Sequence, residues 1–137
     1  MKYLGLDLGS VTCGYAISDA FGMIARVHST FRFPKDNYKL CLEHTLKIIK
    51  EENIGCVVLG YPKHMNGDIG ERCKISEKFK MRLQESWNGT VILWDERLTS
   101  VTVNKAMLEN NTSRSKRKEK KDELAAVVIL QSYLDSK

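Results

Sequence analysis

The opening stretch of the chain alternates. Across residues 2–8, Leu4, Leu6 and Leu8 fall on one side of an extended strand, while Gly5 and Asp7, with Gly9 just beyond, fall on the other. A carboxylate on an otherwise apolar strand is costly to desolvate unless something binds it, and the glycines beside it leave space for a ligand. The plainer reading is that Asp7 bonds a neighbouring strand or caps the turn at Gly9-Ser10. Residues 14–18 and 23–27 then flank the turn-rich Asp19-Ala20-Phe21-Gly22, the pattern of a hairpin, so three antiparallel strands are expected to open the fold.

The period changes next. Leu42, Leu46 and Ile49 mark one apolar stripe of a helix over residues 37–52. Cys56-Val57-Val58-Leu59 is apolar on both faces, as in a covered parallel strand, and ends at Gly60-Tyr61-Pro62. Ile75, Phe79 and Leu83 predict a second helix over residues 68–87, halted by Asn88-Gly89 before the strand Val91-Ile92-Leu93-Trp94. Thr99 or Ser100 would cap a helix running to Glu109. A basic loop follows, and residues 121–134 form a last helix, so apolar through Leu124 to Leu130 that it should be buried against the sheet. Strands alternating with helices after an antiparallel start predict an α/β fold with a mixed sheet, whose ligands gather at the carboxyl ends of the parallel strands. Asp7, the loop over residues 60–67 and Asp95-Glu96 would converge there.

At 137 residues the chain reads as a single domain, residues 1–137, with one active face. No run approaches the roughly 18 apolar residues that cross a bilayer, and the start lacks a secretory pattern. A soluble cytoplasmic protein without a membrane partner is expected, with Cys13, Cys41, Cys56 and Cys73 reduced. No CxxC pair is present, and His28, His44 and His64 are scattered, so a structural zinc site is not expected. Arg114, Lys116, Arg117, Lys118, Lys120 and Lys121 crowd against the single acid Glu119, which suits a phosphate-bearing partner, although a solvated loop has the same composition. Lys63 in the 60–67 loop is available to phosphate in the same way, whereas His64 reads as a surface residue before it reads as a general acid.

Three acidic positions stand apart in sequence: Asp7, the pair Asp95-Glu96 after the last strand, and Asp122-Glu123 on the final helix. Clustered carboxylates raise one another's cost of ionisation unless a cation neutralises them, and hard oxygen donors select magnesium or manganese. Two such ions roughly 3.5 to 4 Å apart can activate water and stabilise the leaving oxygen of a phosphodiester. Acids together with a basic segment therefore suggest a nuclease. Each acid also has a duller role, Asp122 as a helix cap and Asp95 or Glu96 as a surface partner of Arg97, and alternation alone does not say which of Asp95 and Glu96 faces the site.

The pieces Leu6-Asp7-Leu8-Gly9-Ser10 with Gly14 to Asp19, Gly60-Tyr61-Pro62 to Gly67 with Gly70-Glu71-Arg72, Asp95 to Ser100, and Asp122-Glu123-Leu124-Ala125-Ala126 together resemble the YqgF family almost end to end. That family comprises pre-16S rRNA nucleases also described as Holliday-junction-resolvase-like, with an RNase H-like fold. The resemblance implies a mixed five-stranded sheet flanked by helices. It also implies a divalent-metal site on Asp7, Glu96 and Asp122, and maturation of the 5′ end of 16S rRNA. Lys63, Arg97 and the basic segment from Arg114 to Lys121 would then contact RNA or branched DNA. Two departures stand out: Thr12-Cys13 occupies a place where the family carries basic residues, and Glu123 stands where a small residue is common.

Three alternatives compete. One is a four-way-junction resolvase, and another is an RNA-binding module without catalysis. The third is an ATPase of the sugar-kinase and actin type, whose first phosphate loop also resembles Gly5 to Ser10; such enzymes close two lobes around a nucleotide, and this length supplies one, so no nucleotide cofactor is expected.

Overall fold

In a computed structural model, residues 1–62, 70–95 and 114–137 are described, with side chains from residue 124 onward in the last stretch. The elements are β1 (Lys2–Leu8), β2 (Thr12–Ser18), β3 (Ala25–Arg32), α1 (Tyr38–Glu52), β4 (Ile54–Tyr61), α2 (Glu71–Ser86), β5 (Thr90–Asp95) and α3 (Arg114–Asp135). They form one five-stranded sheet ordered β3-β2-β1-β4-β5. The first three strands pair antiparallel, and β1, β4 and β5 run parallel, as the alternation of patterns predicts. The carboxyl ends of β1, β4 and β5 therefore share one edge of the sheet with the starts of α1 and α2.

The boundaries have local causes. Asp19 Oδ1 accepts from the backbone N–H groups of Met23 at 2.7 Å and Ile24 at 3.0 Å, bonds that hold its carboxyl below the usual carboxylate range. Those two N–H groups are thereby taken from the ladder, so β3 begins at Ala25 rather than at Met23. It runs on to Arg32, past the expected end at Val27, with a register shift between Tyr15 and Ala16. Asn37 caps α1 through its side chain, and Asn53 ends it in the left-handed region at φ 53°. The segment expected as a basic loop is instead the first two turns of α3, which starts at Arg114 and not at Lys121. Lys, Arg and Glu are strong helix formers, so a charge run without Gly or Pro extends the helix it adjoins. The expected helix over residues 99–109 lies outside the described residues.

The sheet has two unlike faces. On the first, Leu4, Leu6, Leu8, Cys13, Tyr15, Ile17, Val57 and Leu59 pack beneath Ile48 and Ile49 of α1 and Phe79 and Leu83 of α2. Burying each such aliphatic side chain is worth about 1.5–3 kcal/mol. On the second, Tyr3, Ala16, Cys56 and Val58 meet Ala126, Ile129, Leu130 and Leu134 of α3. Tyr3 touches Tyr133, with ring centroids 6.0 Å apart, whereas a Cβ on Gly5 would lie 2.7 Å from Leu130 Cβ and 3.0 Å from the Ala126 carbonyl oxygen. Helix α3 thus runs antiparallel to β1 and close against it. Its amino-terminal half points toward the carboxyl edge of the sheet.

Candidate active site

Asp7 is the half-buried sixth residue of β1 and projects from the α3 face, alongside Tyr3 and Gly5. Its antiparallel partner on β2 is Gly14. On the parallel side Leu6 pairs with Leu59, so the next rung beside Asp7 is Gly60. No side chain rises from the sheet on either flank of the carboxylate. Space of that kind next to a hard oxygen donor suits a hydrated divalent cation or a phosphate oxygen. The donor chemistry of Asp7 therefore fits the metal that the resemblance implies.

The remaining candidates fall differently. On β5, Ile92 and Trp94 belong to the α3 face, and Trp94 Nε1 donates to Ser132 Oγ of α3 at 3.2 Å. Strand alternation then puts Asp95 with Val91 and Leu93 on the opposite face from Asp7. Asp122 is on α3, one helical turn before Ala126, whose carbonyl lies against Gly5. The antiparallel course of α3 carries that turn toward the end of β1 where Asp7 stands. Arg114, Lys116, Arg117, Lys118, Lys120, Lys121 and Glu123 share the same half of α3, and their side chains lie outside the described residues. Glu96, Lys63, His64 and Arg97 lie outside them altogether. Among the described residues no three His, Cys, Asp or Glu side chains form a metal-holding group.

The carboxyl edge is held by α2. Arg72 Nη2 donates to the Leu8 carbonyl at 2.7 Å, immediately after Asp7, and Ser76 Oγ donates to the Gly60 carbonyl at 3.3 Å. The Tyr61 hydroxyl donates to Glu77, a bond that pushes the phenol up to about 12. A guanidinium bonded to a carbonyl is worth about 1.5–3 kcal/mol, enough to keep the end of β1 from fraying. In the sequence Arg72 belongs to the Gly70-Glu71-Arg72 motif with no role attached, and nothing local marks Ser76 or Glu77. Each bond spans a large gap in sequence, and the apolar stripe of α2 was the only local signal for which of its residues meet the sheet.

The departure at Thr12-Cys13 is also placed. Cys13 pairs with Leu8 and is wholly buried on the α1 face, where burial pushes its thiol well above the ordinary value. Position 12, two residues before Gly14 on the same strand, is the one that shares the face of Asp7.

Residues 1–136 match the family model RuvX, described as Holliday junction resolvase. A protein of Staphylococcus saprophyticus named "Putative pre-16S rRNA nuclease" is 47% identical over 136 residues, covering 98% of this chain and 96% of that protein. One of the same name from Oceanobacillus iheyensis is 45% identical over the whole of both chains. Among solved structures, T. thermophilus RuvC in complex with a Holliday junction substrate superposes with a TM-score of 0.63 at 10% identity, over 99% of this chain and 97% of that one. That likeness bears out the expected RNase H-like fold, with its three antiparallel strands followed by parallel ones. The motif resemblance is borne out by the whole-chain match, and the chain belongs to the RuvX family.

Proposed function

We propose that this chain is a divalent-metal-dependent nuclease that hydrolyses phosphodiester bonds, with the 5′ end of pre-16S rRNA as its substrate. The observation that carries the reading is the position of Asp7, on the α3 face between Gly14 and Gly60, at the strand end toward which α3 delivers residue 122. The family and the names of its relatives support a nuclease. In this reading Asp7, Glu96 and Asp122 hold Mg²⁺ or Mn²⁺, two ions in all. The placement of Asp95 on the far face from Asp7 counts against it as the second carboxylate and so favours Glu96.

Bound cations would lower the pKa of a water and offset charge on the leaving oxygen. The carboxylates orient them, the glycine-flanked space admits the phosphate, and the Arg72 and Ser76 bonds keep the strand ends in register. Water adds its oxygen to phosphorus, the bridging P–O bond breaks, and the proton ends on the released oxygen. Lys63, Arg97 and the cations from Arg114 to Lys121 contact the nucleic-acid backbone. A ribosomal RNA substrate sets the work in the cytoplasm.

The test is cleavage of labelled pre-16S rRNA and of a four-way DNA junction, each in Mg²⁺ and then in chelator. Cleavage of the RNA is expected, lost in chelator and reduced by about two orders of magnitude or more in Asp7→Asn, with the circular dichroism spectrum unchanged. Wild-type rates in that variant would overturn the assignment. Cleavage of the junction alone would transfer the reading to the resolvase activity of the family description.

A further inference from the structure

We infer that the groove between α1 and α2 binds the single-stranded RNA flanking the scissile bond, an inference that rests on the nuclease reading. The groove encloses about 330 Å³, the low end of the range for small-ligand sites and enough for a nucleotide. Lys39 from α1 and Lys78 and Arg82 from α2 line it, with Tyr38, Ile75 and Phe79 as its apolar surface. Lys78 and Arg82 stand one turn apart on the same helix face, both exposed. None of the three cations forms an ion pair with a described carboxylate. Asp36 is the one acid of the lining against three cations, so the groove is net positive.

It lies on the α1 and α2 face, across the sheet from Asp7, and meets the catalytic strand at the carboxyl edge. The Asp36 N–H donates to the Ser10 carbonyl at 2.8 Å, which sets the lip of the groove against the turn that follows β1. The guanidinium that holds the Leu8 carbonyl through Nη2 also donates through Nη1 to the Tyr38 hydroxyl at 3.3 Å. One side chain thus touches both the catalytic strand and the aromatic of the groove. Cations that follow a backbone and an aromatic ring on which a base can stack are the parts of a single-strand site. A duplex keeps its bases stacked on one another and offers this ring nothing. The groove therefore selects an unpaired flank.

The experiment measures fluorescence anisotropy of a labelled single-stranded RNA decamer, and of the same sequence as a duplex, in chelator so that nothing is cut. Lys78→Gln combined with Arg82→Gln is expected to weaken single-strand binding about tenfold, to lower the slope of log affinity on log salt by about 1.4, and to leave duplex binding unchanged. Both positions are exposed, and an unchanged melting temperature checks the fold. Wild-type affinity and slope for the single strand, or equal losses for single strand and duplex, would overturn the inference. Wild-type protein that cleaves precursor RNA while this variant binds normally sinks the groove alone. Groove-dependent binding without any cleavage by the wild type sinks the nuclease reading alone.

Discussion

Leu4 and Gly5 are neighbours in sequence, and the two faces of the sheet could hardly treat them more differently. Leu4 is wholly buried among large aliphatic side chains beneath α1 and α2. Gly5 lies under α3 where even a methyl group would collide. The first face gains stability by filling space. The second gives up side-chain volume at Gly5, Gly14, Ala16 and Gly60, and in return α3 approaches closely and no side chain flanks Asp7 on the neighbouring strands. One face is built for burial and the other for chemistry.

Substitutions at these neighbours sharpen that contrast. Leu4→Ala leaves a cavity on the filled face and should lower unfolding free energy in urea by about 2–5 kcal/mol, the largest effect. The rate per folded molecule should hold, because Leu4 is at the amino end of β1, away from Asp7. Gly5→Ala should cost less, about 1–3 kcal/mol, since Leu130 and the Ala126 carbonyl must move, yet it should slow cleavage, because α3 carries residue 122 with it. If Leu4→Ala proved the slower enzyme per folded molecule, the division of labour between the faces would be wrong.

The smallest effect is a pH dependence at the rim of the filled face. The His44 ring stacks on Phe31 with centroids 4.0 Å apart, and burial, aided by Lys47 and His28, holds its pKa below the ordinary 6.5. The native state therefore favours the neutral ring. As pH falls below 6.5 the unfolded chain takes up a proton that the folded one resists, so stability present above that pH is lost on acidification. Melting temperature should fall between pH 7.5 and 5.5, and His44→Gln should lessen the fall. An identical decrease in both proteins would assign it to other groups.

A buried triad on the filled face shows how polar groups are accommodated there. The Thr45 hydroxyl donates its one proton to the Cys41 carbonyl at 2.8 Å, so the Tyr15 hydroxyl, 2.7 Å away, is the donor to Thr45. Burial raises the Tyr15 phenol and keeps it neutral. Alternation along β2 marked this strand but did not single out Tyr15 as the partner of a helix threonine.

What the chain determined by itself was local. Alternation set Asp7 apart from Leu4, Leu6 and Leu8, the Asn37 cap and apolar stripe marked α1, and a run apolar on both faces marked β4 as a covered strand. Those signals are carried within a few residues, where backbone geometry decides which side chains share a face. Tertiary structure decided the rest. It turned Asp95 away from Asp7, placed Cys13 in the core, and joined Arg72 to both Leu8 and Tyr38. Each of these depends on which distant segment packs alongside, and packing is a property of the assembled layers that no stretch of a few residues encodes.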